Sequence, residues 1–422
     1  MKRIVCFGPG PRFKGGIQNY NTSLARALDA QGAQVHIVSW TQQYPAIIPR
    51  EFVDKTSKND LLAGSNVQIS YVTNYNNPFT WAQTVRCIEN LKPDVVIFQW
   101  AIAVQGIPLG WIARKLLKNK QIEIIFDLHF VIQKENSALD RRFTKYGIAK
   151  AHTYIAHAYK TVEELKSLFP SKKLEVNETG KRTKLTDNQT VIKLYHPVYE
   201  LFQPRGDFDV VAFKKEHGLK EHVFLFFGFI RQYKGLHNAI RAFRLVADQR
   251  DDVSLVICGE SFWQTLDSSK WTTQVKNLLF GFAKKLLVKQ SDDERHYQPL
   301  TLIEELDLTD KTLIKNEFVA NEEVHKYFQI SDVVLLFYLY ATPSGVESLT
   351  YNFKMPIVAT RVGHFPETIK EGFNGYLAEP DNIEDMAKVM LQAIEKPISR
   401  ENVTEATKMM SWANYAKAIL NP

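Results

Sequence analysis

Short apolar runs rich in β-branched and aromatic residues recur along the whole chain, each followed by a stretch with helical spacing. In the first half they fall at residues 4–7, 35–40, 67–72, 95–100, 122–128, 153–156 and 191–195. In the second half they fall at 223–229, 253–258, 312–319, 333–338, 357–360 and 375–377. A strand that is apolar on both sides must be covered on both sides. Helices between successive strands supply that cover, so the rhythm predicts parallel sheets. It restarts near Val223, after the polar, proline-containing stretch 195–206. The expected fold is therefore α/β, with two doubly wound Rossmann-like domains at 1–204 and 205–404 and a helical segment, 405–422, left at the end. A chain of 422 residues is long enough for two separate cores. Ligands of open parallel sheets bind beyond the carboxyl ends of the strands, so two such domains facing each other would place the chemistry in a central cleft.

The net charge of +7 and a pI near 9.0 suit phosphorylated small molecules, anionic lipid or nucleic acid. Clustered basic–aromatic platforms are missing, which argues against nucleic acid as a partner. Cys6, Cys87 and Cys258 have no paired spacing, so neither a disulfide framework nor a zinc site is expected, and a reducing cytosol fits. Lys2 and Arg3 precede an apolar run that Gly8-Pro9-Gly10 breaks too early for a signal-peptide core. The longest apolar stretch, 333–341, falls well short of the roughly 18 residues that a spanning helix needs. These features predict a cytoplasmic protein that is soluble or, at most, peripheral at the inner face of the membrane.

Three segments carry chemistry. The sequence GFIRQYKG, 228–235, crosses from a strand into a helix and brings Arg231 and Lys234 to the crossing. Two fixed cations beside a helix N-terminus suit a diphosphate, because free amides and the helix dipole add to their charge. At the N-terminus, Gly15 and Gly16 precede an amphipathic helix carrying Leu24 and Leu28, where backbone amides can approach a ligand closely. Their spacing does not match the dinucleotide fingerprint, so no nicotinamide site is expected. Near the C-terminus, Ser344, Gly345 and Val346 begin a helix with Glu347 in its first turn. That glutamate either accepts from a ribose diol or complements the helix dipole.

Taken in this order, the segments resemble the retaining GT-B glycosyltransferases of family four (glycosyl transferases group 1). The resemblance spans nearly the whole chain and includes Gly259-Glu260 after a strand and MPIVATRVGHFPE, 355–367, ahead of FNGYL, 373–377. It implies a nucleotide-sugar donor held mainly by the second domain, with Arg231 and Lys234 on the diphosphate, amides near Ser344 adding to that grip, and Phe318 to Ala320 beside the base. It also implies that the final segment, with Trp412, crosses back onto the first domain. His129, in FDLHFVIQKEN at the end of a strand candidate with Asp127 and Glu135, matches a histidine that relatives place facing the donor sugar. His157 and His196 end strand candidates too and rank lower. The family's usual pair of glutamates falls, counting back from Pro356, on Leu349 and Ala341, so both are missing, and Gly363-His364 replaces a glycine pair.

The expected reaction is therefore retaining hexosyl transfer from a nucleotide-diphosphate sugar to a glycan or lipid-linked acceptor, in cell-surface polysaccharide or glycoconjugate synthesis. Cations and oriented amides would stabilise the leaving diphosphate without a metal or other cofactor. The alternatives are a nucleotide-sugar epimerase of the same fold and a catalytically inactive nucleotide-sugar-binding protein. Residues 271–289 form a basic amphipathic pattern that would either lie on an anionic membrane or pack on the second domain. Residues 114–120, after Trp111, invite the same two readings.

Overall fold

A computed structural model describes residues 1–45, 52–132, 138–182, 189–261 and 297–420. The apolar runs become two parallel sheets. The first, in the order β3-β2-β1-β4-β5-β6-β8-β7, is built from β1 (Arg3–Phe7), β2 (Gln34–Gln42), β3 (Gln68–Asn74), β4 (Val95–Trp100), β5 (Glu123–Leu128), β6 (Thr153–Ala156), β7 (Leu174–Asn177) and β8 (Gln189–Lys193). The second, in the order β11-β10-β9-β12-β13-β14, is built from β9 (His222–Phe227), β10 (Val253–Cys258), β11 (Thr312–Lys315), β12 (Val333–Leu336), β13 (Ile357–Thr360) and β14 (Gly375–Ala378). In both sheets the order reverses beside the first strand of the domain, the usual place for a ligand crevice.

Helices α1 (Gly16–Ala30), α2 (Pro78–Asn90), α3 (Gly106–Leu116), α4 (Ala138–Ile148) and α5 (Tyr159–Leu168) link the strands of the first domain. α6 (Val210–Glu216) leads into the second domain, where α7 (Leu236–Ala247) follows β9. Successive strand residues point to opposite faces, and both faces are apolar. Ile4, Cys6, Ile97, Ile125 and Ile155 face α1, whereas Val5, Phe7, Val96, Phe98 and Phe126 face the Trp81 and Leu109 side of α2 and α3. The α1-side cluster continues without a break into the second domain through Tyr199, Leu225 and Leu349. The extra strand β7 was not legible in the sequence. It is a polar edge strand, and half of its residues are exposed.

The last helix, Trp412–Leu420, packs on α1 of the first domain. The Tyr415 hydroxyl donates to Asp127 Oδ2 at 3.0 Å, and the Tyr20 hydroxyl donates to the same oxygen at 2.9 Å. His157 Nε2 lies 2.8 Å from the other carboxylate oxygen. Arg182, paired with Glu123 at 2.6 Å, and Lys2 donate to the free carbonyls of Ala418, Ile419 and Leu420. Cations at a helix C-terminus also oppose its negative dipole end.

Candidate active site

A cleft of about 530 Å³ lies between the two sheets, at the carboxyl ends of their strands. The first domain contributes Lys14, Gly15 and Gly16 from the loop after β1, Ala101 and Ile102 after β4, and Phe130 after β5. The second contributes Gly228, Arg231 and Lys234 after β9, Glu260 after β10, Phe318 and Val319 after β11, and Ser344, Gly345 and Val346 after β12.

Two helix N-termini meet here from opposite domains. α1 begins at Gly16, and the helix Gly345–Asn352 begins after Ser344, whose side chain accepts from Val346 N at 3.3 Å. A β-carbon on Gly16 would lie 3.9 Å from Gly345 Cα. The Tyr199 hydroxyl donates to Gly16 O at 2.8 Å, and a β-carbon on Gly345 would lie 2.9 Å from that same hydroxyl. Each N-terminus presents free amides and roughly half a positive charge.

Side-chain charge points the same way. Among the described residues lining the cleft, Lys14, Arg231 and Lys234 face one carboxylate, Glu260. Lys14 Nζ is 3.5 Å from Glu260 Oε1 and 4.8 Å from the centre of the Phe318 ring, so the pair spans the two domains. Lys234 is 8% exposed, and its ammonium lies over the backbone of Gly228. Gly228 has φ 99°, and a β-carbon there would sit 2.8 Å from Lys234 Nζ. A β-carbon on Gly259 would come within 1.9 Å of Gly228 O, so these two turns touch through backbone. Two dipoles and three cations in one cleft suit a doubly charged phosphate group.

Two candidates from the sequence are placed otherwise. His129 is buried and is not one of the residues that line the cleft, whereas its neighbour Phe130 is. Its Nε2 lies 2.8 Å from Gln99 Oε1, and its ring meets Tyr20 edge-on with centroids 4.7 Å apart. Burial holds its pKa down to about 4; Asp127 opposes this shift and His157 adds to it. Glu347 also lies off the cleft and is buried. It accepts from Thr368 Oγ1 and pairs with His364 Nε2, both at 2.5 Å. Its carboxylate is thus used within the protein, and the His364 that replaces a family glycine is its partner. His157 belongs to the Asp127 cluster, and His196 Nδ1 meets Ser348 Oγ across the domain junction at 2.5 Å. Glu135 and the amphipathic pattern 271–289 lie outside the described residues.

Lys14 and Tyr199 were missed as site residues. The signal for Lys14 was its place directly before Gly15-Gly16. Tyr199 sits in the interdomain stretch, where sequence pattern gives no direction. Among the described residues one group has metal-ligand spacing, Glu221, His222 and Asp252, with ligand atoms within 4.8 Å of one another. It lies at the amino ends of β9 and β10, opposite the cleft, and Arg250 holds Asp252 through two hydrogen bonds.

Two parallel-sheet domains with a cleft between the carboxyl ends of their strands make the GT-B fold. The family described as Glycosyl transferases group 1 matches residues 207–410, and Glycosyltransferase Family 4 matches 14–181. Both halves of the chain therefore match glycosyltransferase families. It is 24% identical over 247 residues to spore coat protein SA of Bacillus subtilis (strain 168), covering 57% of this chain and 58% of that protein. The structure of Anabaena Alr3699/HepE in complex with UDP superimposes with a TM-score of 0.64 at 14% identity, covering 100% of this chain and 98% of the other. Sucrose-phosphate synthase from Thermosynechococcus elongatus gives a TM-score of 0.61 at 15% identity, covering 99% and 96%. Among the described residues no helix is long and apolar enough to cross a membrane.

Proposed function

We propose that the protein transfers a hexosyl group, with retention, from a nucleoside-diphosphate sugar to a glycan or lipid-linked acceptor in cell-surface polysaccharide or glycoconjugate synthesis. The observation that carries this reading is the meeting of two helix N-termini with Lys14, Arg231 and Lys234 in one cleft. Charge builds on the departing diphosphate as the glycosidic bond breaks, and these groups would stabilise it there. Lys234, held over Gly228, is fixed before the donor arrives. Phe318 and Val319, which line the cleft, would lie beside the base. The Lys14–Glu260 pair spans the cleft; donor phosphates arriving there would compete with Glu260 for Lys14. The UDP held by the Anabaena relative supports a nucleoside diphosphate as the leaving group. His129 would act by fixing Tyr20 and the floor of the first domain rather than by touching the sugar.

The test is calorimetric titration of UDP, GDP and ADP into the wild-type protein and an Arg231→Ala/Lys234→Ala variant. One diphosphate should bind, and the double variant should bind it at least roughly 100-fold more weakly, since each charge-assisted contact contributes about 1.5–3 kcal/mol. Equal affinity in the variant, or no binding by a folded wild-type protein, would refute the reading. Incubation with donor sugar alone separates an epimerase, which turns over without acceptor. Proton NMR of the product's anomeric centre decides retention.

A further inference from the structure

The outer face of the first sheet carries a surface that the cleft does not use. Helices α2, α3 and α4 lie side by side there, and each is entered from the carboxyl end of a strand, β3, β4 and β5 in turn. Their first turns therefore stand at the rim of the cleft. Ile102, just before α3, and Phe130, in the loop leading to α4, line the cleft itself. At that rim each helix exposes a large apolar side chain: Phe79 is 81% exposed, Ile107 41% and Leu139 45%. A single exposed apolar residue needs no explanation, but one on the first turn of each of three neighbouring helices puts all three at one rim.

Behind this rim the face is cationic. Residues 106–120 hold Arg114, Lys115, Lys118 and Lys120 and no carboxylate. Residues 138–150 hold Arg141, Arg142, Lys145 and Lys150 against Asp140. The aromatic rings between them have a cation above: Lys115 lies 5.1 Å from the centre of Trp111, and Arg114 lies 3.8 Å from that of Tyr146. Lys172, which donates to Ala149 O at 2.7 Å, has its pKa pushed down to about 8 by burial and by repulsion from Lys150 and Lys145.

We propose that the α2–α3–α4 face docks the protein on an anionic bilayer, with Phe79, Ile107 and Leu139 entering the interface and the cations behind them meeting lipid phosphates. Apolar tips in front of a basic field match the two layers of such a surface, acyl boundary and headgroup. Nucleic acid would use the cations and the rings of Phe79, Trp111 and Tyr146, but it has no use for the aliphatic tips Ile107 and Leu139. Docked this way, the mouth of the cleft opens along the membrane plane, where a lipid-linked acceptor would be held. Bilayer binding needs no sugar donor, so it stands or falls separately from the transfer activity.

The experiment is flotation of the full chain with vesicles of phosphatidylcholine, with and without phosphatidylglycerol. The wild-type protein should float only with the anionic vesicles, and added salt should weaken binding. Lys118→Ala/Lys120→Ala/Arg141→Ala, all exposed, should lower the partition coefficient roughly 100-fold, about five-fold for each cation. Phe79→Ser/Ile107→Ser/Leu139→Ser should lower it as well, with nucleoside-diphosphate affinity unchanged. Wild-type protein that stays behind, flotation equal to wild type in both variants, or capture by an RNA oligonucleotide in preference to vesicles would each overturn the proposal.

Discussion

Lowering the pH from about 7.5 to about 5 should remove about 2 kcal/mol of stability through His129 alone. Its ring is buried in the folded protein, where burial first, and then the nearby His157 against the pull of Asp127, holds its pKa down to about 4 from an ordinary 6.5. Below the ordinary value the unfolded chain binds a proton that the folded chain refuses until the pH nears the lower one. Stability is therefore present above that window and falls through it. The full span between the two values corresponds to roughly 3 kcal/mol, of which about 2 is lost by pH 5 or so. His196, held well below its ordinary value by burial and then by His157 and His129, adds a loss of the same sign. Asp127 lies outside the window. Burial pushes its pKa up but His157 and further hydrogen bonds outweigh that, so it ends below an ordinary 3.8 and matters only in stronger acid. The assay is urea unfolding followed by tryptophan fluorescence; Trp40, Trp81, Trp100, Trp111 and Trp412 all pack with the first domain. His129→Gln keeps a donor for Gln99 and removes the titrating ring. Its loss of stability between the two pH values should be smaller than that of wild type by about 2 kcal/mol. An equal loss in both proteins would refute the reasoning.

Gly228→Ala forces a side chain onto φ 99° and within 2.8 Å of Lys234 Nζ. It should cost about 1–3 kcal/mol in thermal unfolding and weaken diphosphate binding at least about tenfold by calorimetry; unchanged affinity would mean that the Lys234 ammonium is not at the phosphates. Tyr415→Phe removes a hydroxyl that donates to a buried carboxylate at 3.0 Å. Urea midpoints should show a loss of about 1.5–3 kcal/mol, and a change under about 0.5 would place the pin elsewhere. Transfer activity is expected to persist in EDTA, since cations and amides take the leaving charge; a loss restored by added magnesium would put a metal in the cleft.

Strand placement was legible because each buried strand is a continuous apolar run, and thirteen of the fourteen strands among the described residues correspond to one. β7 escaped because an edge strand exposing Glu175 leaves no such run. Within the site, residues on the turns after strands could be read directly: Gly15, Gly16, Arg231, Lys234 and Ser344 are fixed to the cleft by where their strands end. His129 and Glu347 could not be read so. One residue of rotation on a strand end or helix start decides between facing a cleft and facing the interior. Here Gln99 and His364 claim those side chains for the interior. These partners come from other segments, beyond the reach of local pattern.

The Asp127 pin also sets an order for making the protein. Asp127 is fully buried in the folded protein, where Tyr415 donates to one of its oxygens, yet Tyr415 is synthesised 288 residues later. At roughly 5–20 residues per second, the first domain waits on the order of 14–60 s at the ribosome with that carboxylate and the neighbouring Tyr20 surface unsealed. The second domain has all of its own sheet in hand by then. The chain therefore completes its beginning last, and the first domain is the half that a nascent-chain chaperone would need to shield.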